Sequence, residues 1–143
     1  MALSFASDAV FVKNLEASTA VGASQTVAST LYVDCSGLEP NVRPFVEQDV
    51  TAVSGTLPSI TDTIDGSNDT SVPTTWVLNI YDTLGAHSGP IVAATAVGRA
   101  VYDVPRYRFY RRGVSAFSGT ATPVVTRSLK IIGIASARPI TQP

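Results

Sequence analysis

No stretch of this chain repeats apolar residues at helical spacing for more than about two turns, whereas short runs of β-branched and aromatic residues recur along its length. Between these runs lie clusters that set turns through unusual φ values or local side-chain bonds. They are Ser36-Gly37-Leu38-Glu39-Pro40, Ser54-Gly55, Gly66-Ser67-Asn68-Asp69, the segment from Gly85 to Pro90, and Ser118-Gly119. The pattern predicts strands at roughly Ala9–Lys13, Thr26–Cys35, Val42–Val53, Ser59–Asp65, Thr74–Tyr81, Arg99–Val104, Tyr107–Ala116 and Val124–Ile134. The best helical candidate, Val10 to Ala20, is interrupted by Ser18 and Thr19 and followed by Gly22. Eight short strands without helices point to an all-β fold, an antiparallel sandwich or barrel, and the expectation is an antiparallel β-sandwich of jelly-roll-like form. Residues 1–143 read as a single sandwich domain, with 1–8 and 135–143 as extended arms.

At 143 residues the chain buries enough surface to fold without disulfides or a metal. Its one cysteine, Cys35, sits in an apolar strand pattern and reads as a small buried hydrophobe. No apolar run reaches bilayer-spanning length, and Met1 to Asp8 has neither the basic start nor the apolar core of a signal peptide. The expectation is a protein folded in a cytoplasm, with no membrane partner.

Charge divides along the chain. Residues 1–98 hold ten acids against Lys13 and Arg43, and residues 99–143 hold eight bases against Asp103. Two explanations fit: acidic and basic strands pair within one sheet, or copies of the chain meet through opposite faces. Eight of the ten cations are arginine, the cation enriched at interfaces, which leans towards assembly.

Chemistry-bearing residues are sparse. His87, the only histidine, lies in a Gly- and Pro-bounded turn with no partner that would make it a catalytic base. One Cys and one His cannot fill a zinc site, and no nucleophile elbow, metalloprotease or phosphate-loop motif is present. Asp62, Asp65, Asn68 and Asp69 are all oxygen donors but match no EF-hand spacing, and their sequence is also that of an ordinary turn. The run Arg106 to Arg112 mixes bases with aromatics, yet strand alternation sends its side chains to opposite faces. With a pI near 5.7, it reads as structural arginines rather than a nucleic-acid surface. The expectation is therefore no enzyme, no cofactor and no metal.

Two segments together resemble a strand–turn–strand unit of tailed-phage virion proteins. Ser54-Gly-Thr-Leu-Pro-Ser-Ile-Thr-Asp-Thr-Ile-Asp-Gly-Ser-Asn-Asp69, followed by Thr75-Trp-Val77, is similar to a "GTxPSxTVTIxGSNDG" strand that leads into a Trp-containing strand. Asp103-Val-Pro-Arg-Tyr-Arg-Phe-Tyr-Arg-Arg-Gly-Val-Ser-Ala-Phe-Ser-Gly-Thr-Ala121 is similar to their "YRYYRVRVSAxSGTA" unit. The resemblance spans about residues 25–134 and favours head decoration (cement) proteins. It implies a virion location reached by assembly in a bacterial cytoplasm, self-association as a trimer, and the phage major capsid protein as partner. A neck or tail protein is the nearest alternative.

Candidate partner-binding residues are Leu3, Phe5 and Phe11 of the N-terminal region, Arg106 and Arg108, and Ile140 of the C-terminal arm. A carbohydrate-binding module would instead use Trp76, Tyr81 or Tyr102 as stacking platforms, although Trp76 between Thr75 and Val77 also reads as core. Asp62 and Arg112 stand where the family pattern has apolar residues. Asp62 shares a strand face with Ile60 and Ile64, and Arg112 shares one with Tyr110 and Val114. A lone buried charge is costly, so the two are expected to pair with each other across the sandwich, or each to find its own partner.

Overall fold

A computed structural model describes residues 9–81 and 97–135. Among them are five strands and no helix: β1 (Ala9–Val21), β2 (Val33–Asp34), β3 (Val42–Ser67), β4 (Gly98–Asp103) and β5 (Phe109–Ala135). All pairings are antiparallel, in the order β1-β5-β3-β4, with β2 also paired to β5. The all-β antiparallel class is as the sequence predicts. The helical candidate Val10 to Ala20 is the strand β1, held by its ladder to β5. Its β-branched Val10, Val12 and Thr19 suit that extended backbone.

The turn signals at Ser54-Gly55 and Ser118-Gly119 do not end strands. Pairing of β3 with β5 runs from Val42↔Ala135 to Ser67↔Phe109, so four expected strands are two long ones. A straight strand of 26 residues would extend about 86 Å. Instead, Gln48 Nε2 donates a hydrogen bond of 2.7 Å to Asp62 Oδ2 on the same strand. Fourteen extended residues would hold these side chains about 46 Å apart, so the ribbon doubles back on itself.

The fold line is written in the backbone. Gly55 (φ 86°), Leu57 (49°), Gly119 (142°), Ala121 (58°) and Thr122 (50°) all have positive φ, and the ladder shifts register between Ser54 and Thr56 and again between Thr56 and Ser59. Glycine is required at two of these positions by space as well as by φ. A Cβ on Gly55 would lie 2.5 Å from Pro123 Cα, and one on Gly119 would lie 2.7 Å from Pro123 Cβ.

Folding the ribbon makes two layers. The first holds β1, the later half of β5, the earlier half of β3, and β4. The second holds the other halves of β3 and β5, flanked by single-bridge neighbours rather than full strands. Gln25 bridges Ser115 and β2 continues along β5 on one side, while Val77 bridges Gly66 on the other. The expected strands Thr26–Cys35 and Thr74–Tyr81 thus contribute only β2 and the Val77 bridge, with the Gln25 bridge just ahead of the first. The described strands all belong to one sheet that folds over on itself.

Between the layers, Leu15, Val46, Leu129 and Ile131 from the first pack with Cys35, Ile64, Ile80 and Tyr110 from the second. Nearer the fold line, Val21, Val50, Ile60 and Val125 form a smaller cluster. The expected arm 1–8 lies outside the described residues. Of the expected arm 135–143, Ala135 is the last residue of β5 and the rest lies outside them.

Candidate functional site

The inner faces carry charge as well as hydrocarbon. Along β5 the inward row reads Val125, Arg127, Leu129, and along β3 it reads Val46, Gln48, Val50, then after the fold Ile60, Asp62, Ile64. Asp62 and Arg127 are both 0% exposed. Arg127 grips Asp62 with two parallel bonds, Nε to Oδ2 at 2.9 Å and Nη2 to Oδ1 at 2.6 Å. Gln48 adds a donor to Oδ2, and Ser115 Oγ donates to Oδ1 at 2.6 Å. The carboxylate therefore accepts four hydrogen bonds, its full capacity.

The same guanidinium reaches Glu16 on β1 through Nη1. Glu16 also accepts from Arg112 Nε at 2.8 Å, and Arg112 Nη1 donates to the carbonyls of Val27 and Gly113. Two acids and two guanidiniums thus form one neutral chain of contacts, Asp62 to Arg127 to Glu16 to Arg112, linking both layers. Burial works to lower the Arg127 pKa, but the bonds from Asp62 and the charges of Asp62 and Glu16 outweigh it and hold the group above its ordinary value.

Asp62 and Arg112 are both buried, but no ion pair joins them among the described residues. Each has its own partner, because Arg127, projecting from the opposite layer, takes both oxygens of Asp62. Sequence reasoning missed Arg127, Gln48 and Glu16. The signal for Arg127 was present: it interrupts an alternating apolar row as Asp62 does.

The other arginines among the described residues are engaged within the chain. Arg106 donates to the carbonyls of Leu38, Glu39 and Val42, fastening the 38–42 turn. Arg108 donates to Thr70 O at 2.8 Å, lies 3.5 Å from Asp34, and stacks 4.8 Å from the Phe109 ring. Both, expected at a partner surface, also staple segments of the chain to one another. Arg111 pairs with the buried Asp65 at 2.8 Å, Arg99 and Lys130 flank Glu47, and Arg43 meets Asp103. Acidic and basic halves of the sequence do pair within the sheet, the first of the two explanations for the divided charge.

Phe11 is half-buried against the main core, with Lys13 Nζ 5.9 Å from its ring. Leu3, Phe5, His87 and Ile140 lie outside the described residues.

The four oxygen donors Asp62, Asp65, Asn68 and Asp69 do not converge. Asp65 serves Arg111 and the N–H of Asn79, and Asn68 Oδ1 accepts from the N–H of Arg108. Asp69 accepts from the N–H groups of Thr75 and Thr74, which hold its carboxyl below the ordinary range. No group of three metal-ligating acids, His or Cys occurs among the described residues.

Of the aromatic platforms, Trp76 has the Arg111 guanidinium 4.4 Å from its ring centroid. Tyr81 is buried, edge-on to the half-buried Tyr102 at 5.2 Å. Arg111 thus occupies one face of Trp76, and Tyr81 is not exposed.

What the surface does present is hydrocarbon on the outer side of the second layer. A groove of about 390 Å³ has Ala28, Leu78 and Val114 on its walls, with Thr63 and the Asp65–Arg111 pair beside them. Leu78 and Val114 are themselves exposed, as is Val27 next to Ala28 in the chain. Comparison of the chain with family models, with curated proteins and with solved structures gives no match.

Proposed function

We propose that this chain is a structural virion protein of a tailed phage, a head decoration (cement) protein that binds the capsid exterior and stabilises seams between coat subunits. The observation that carries the reading is the pairing of the two segments on which the family resemblance rests. Residues 54–69 and 103–121 are cross-strand partners from Thr56↔Thr120 to Ser67↔Phe109, so the two motifs belong to one structural unit. That unit bears the apolar outer surface, a feature of chains that bury themselves against partners. On a capsid the same contact repeats many times, and modest affinity per copy becomes a firm hold through multivalency. Such a protein works by surface burial, with self-association as a trimer and the major capsid protein as its partner.

Cosedimentation of the purified chain with heads assembled from the coat protein of the same genome tests this. Saturable binding in fixed ratio to coat subunits is the expected result. Heads that bind none of the chain, with binding to purified tails instead, would transfer the protein to the neck or tail.

A further inference from the structure

Among the described residues, Arg106 is the one arginine with no carboxylate in ion-pair contact. Arg43, Arg99, Arg108, Arg111, Arg112 and Arg127 each reach an acid at 3.5 Å or less. Arg106 donates instead to the carbonyls of Leu38, Glu39 and Val42, and it remains exposed. Neutral carbonyls hold a guanidinium in place but leave its charge uncompensated.

That charge stands on a cleft of about 410 Å³ between the 35–38 turn and residues 106–108, with Cys35, Ser36, Asn68 and Arg108 also on its walls. Burial pushes the Cys35 thiol up, while the charges of Lys13 and Arg106 act on it in the opposite direction, so both cations lie close to this wall. Lys13 is exposed, and among the described residues its contact is the Phe11 ring at 5.9 Å rather than a carboxylate. Arg108 has an acid, but loosely. Asp34 lies 3.5 Å away, has 44% of its side chain exposed, and is also held by the N–H of Ser36 at 2.9 Å. Contacts of that length are weak, and a better-placed acceptor can replace them. Three cations therefore face one weakly engaged carboxylate, and a concave site with an excess of one sign concentrates ions of the other. Arg106, fixed by three bonds, loses little freedom when it takes a further acceptor.

We propose that the cleft between the 35–38 turn and residues 106–108 binds an oxyanion, a carboxylate or phosphate carried by a larger molecule. Arg106 and Lys13 supply the uncompensated charge, and Arg108 exchanges Asp34 for the ligand. The cleft falls in the size range of small-molecule sites, so it has room for more than the anionic group. The proposal does not rest on the virion reading: an acidic side chain of another protein and a free small acid offer the same group, and failure to bind a capsid would leave the site standing.

Nuclear magnetic resonance titration of the isotope-labelled chain tests this. The probes are sodium phosphate, sodium succinate and an acetylated tri-aspartate peptide, each compared with sodium chloride at the same ionic strength. Saturable shifts at the amides of Ser36, Asn68, Arg106 and Arg108, beyond those given by chloride, are expected with at least one probe. Saturation by phosphate, by succinate or by the peptide alone assigns the oxyanion to a phosphoryl compound, a small acid or an acidic protein segment. Lys13→Gln should weaken binding about threefold, and Asp34→Asn, which keeps the acceptor for Ser36 but removes the competing charge, should tighten it about threefold. Arg106→Gln should weaken it further. If that variant fails to fold, the other two still decide, because a purely structural role for these residues gives no reason for the opposite signs. Shifts no larger than those with chloride for all three probes, or an affinity unchanged in both Lys13→Gln and Asp34→Asn, would overturn the proposal.

Discussion

Gln48 and Asp62 stand on one β-strand, fourteen residues apart, and are joined side chain to side chain at 2.7 Å. The bond exists because β3 and β5 fold together across Gly55 and Gly119, bringing the far half of the ribbon over the near half. Arg127 then crosses the interior to the same carboxylate.

The clamp at Asp62 should behave as a coupled unit. Asp62→Ala leaves the fully buried Arg127 without its main partner, and Arg127→Met leaves Asp62 with only Gln48 and Ser115. Each is expected to destabilise by about 3–5 kcal/mol, because an uncompensated buried charge is costly. The double replacement Asp62→Leu with Arg127→Met should cost far less than the sum of the single costs. Urea denaturation of the four proteins measures this, and strict additivity would contradict the clamp.

The fold line should be intolerant of side chains. Gly55→Ala and Gly119→Ala place a Cβ against Pro123 at a positive φ, and each should cost more than about 1 kcal/mol. Gly37→Ala, where nothing lies within 4 Å and φ is not positive, is the matched control and should be neutral or stabilising. Thermal melts of the three variants would show the ordering.

Burial pushes the Cys35 thiol up to about 12, from an ordinary 9.0. The native protein should therefore resist thiol reagents at pH 8 and react only on unfolding. Above pH 9.0 the unfolded chain loses the proton that the folded chain keeps, so this contribution to stability is full below 9.0 and declines as pH rises towards 12. Rapid labelling of the native protein at pH 8 would contradict the burial of this site.

Arg111 joins the groove to the single tryptophan. Arg111→Ala removes the guanidinium 4.4 Å from Trp76 and strands Asp65, which is buried. A stability loss of about 1–3 kcal/mol is expected, together with a changed Trp76 emission in the folded state. Arg111→Lys should rescue only part of either, because an ammonium lacks the planar fork and stacks poorly.

The all-β class could be read from the chain because alternation and turn residues are local properties. The buried charges at Asp62 and Arg112 could be read for the same reason: each breaks an apolar row on its own strand. Arg127 breaks its own row in the same way, but which acids and bases meet could not be read, since folding brings Glu16 and Arg127 to them over a distance that no local pattern records. Ser54-Gly55 and Ser118-Gly119 misled because the residues that end a strand also bend one, and only the partner strand decides between the two. For Arg106 and Arg108 the sequence suggested a partner surface but not their bonds within the chain. Their carbonyl partners at Leu38, Glu39, Val42 and Thr70 are backbone groups, which sequence does not distinguish.

The reading as a head decoration protein is tested most directly by electron cryomicroscopy of particles purified from the genome that encodes the chain, with their protein content determined by mass spectrometry. The account predicts the chain in stoichiometric, repeating amounts, with density for a two-layer β fold on the outer surface over seams between coat subunits. Particles that lack the chain, or hold it only inside the head, would contradict it.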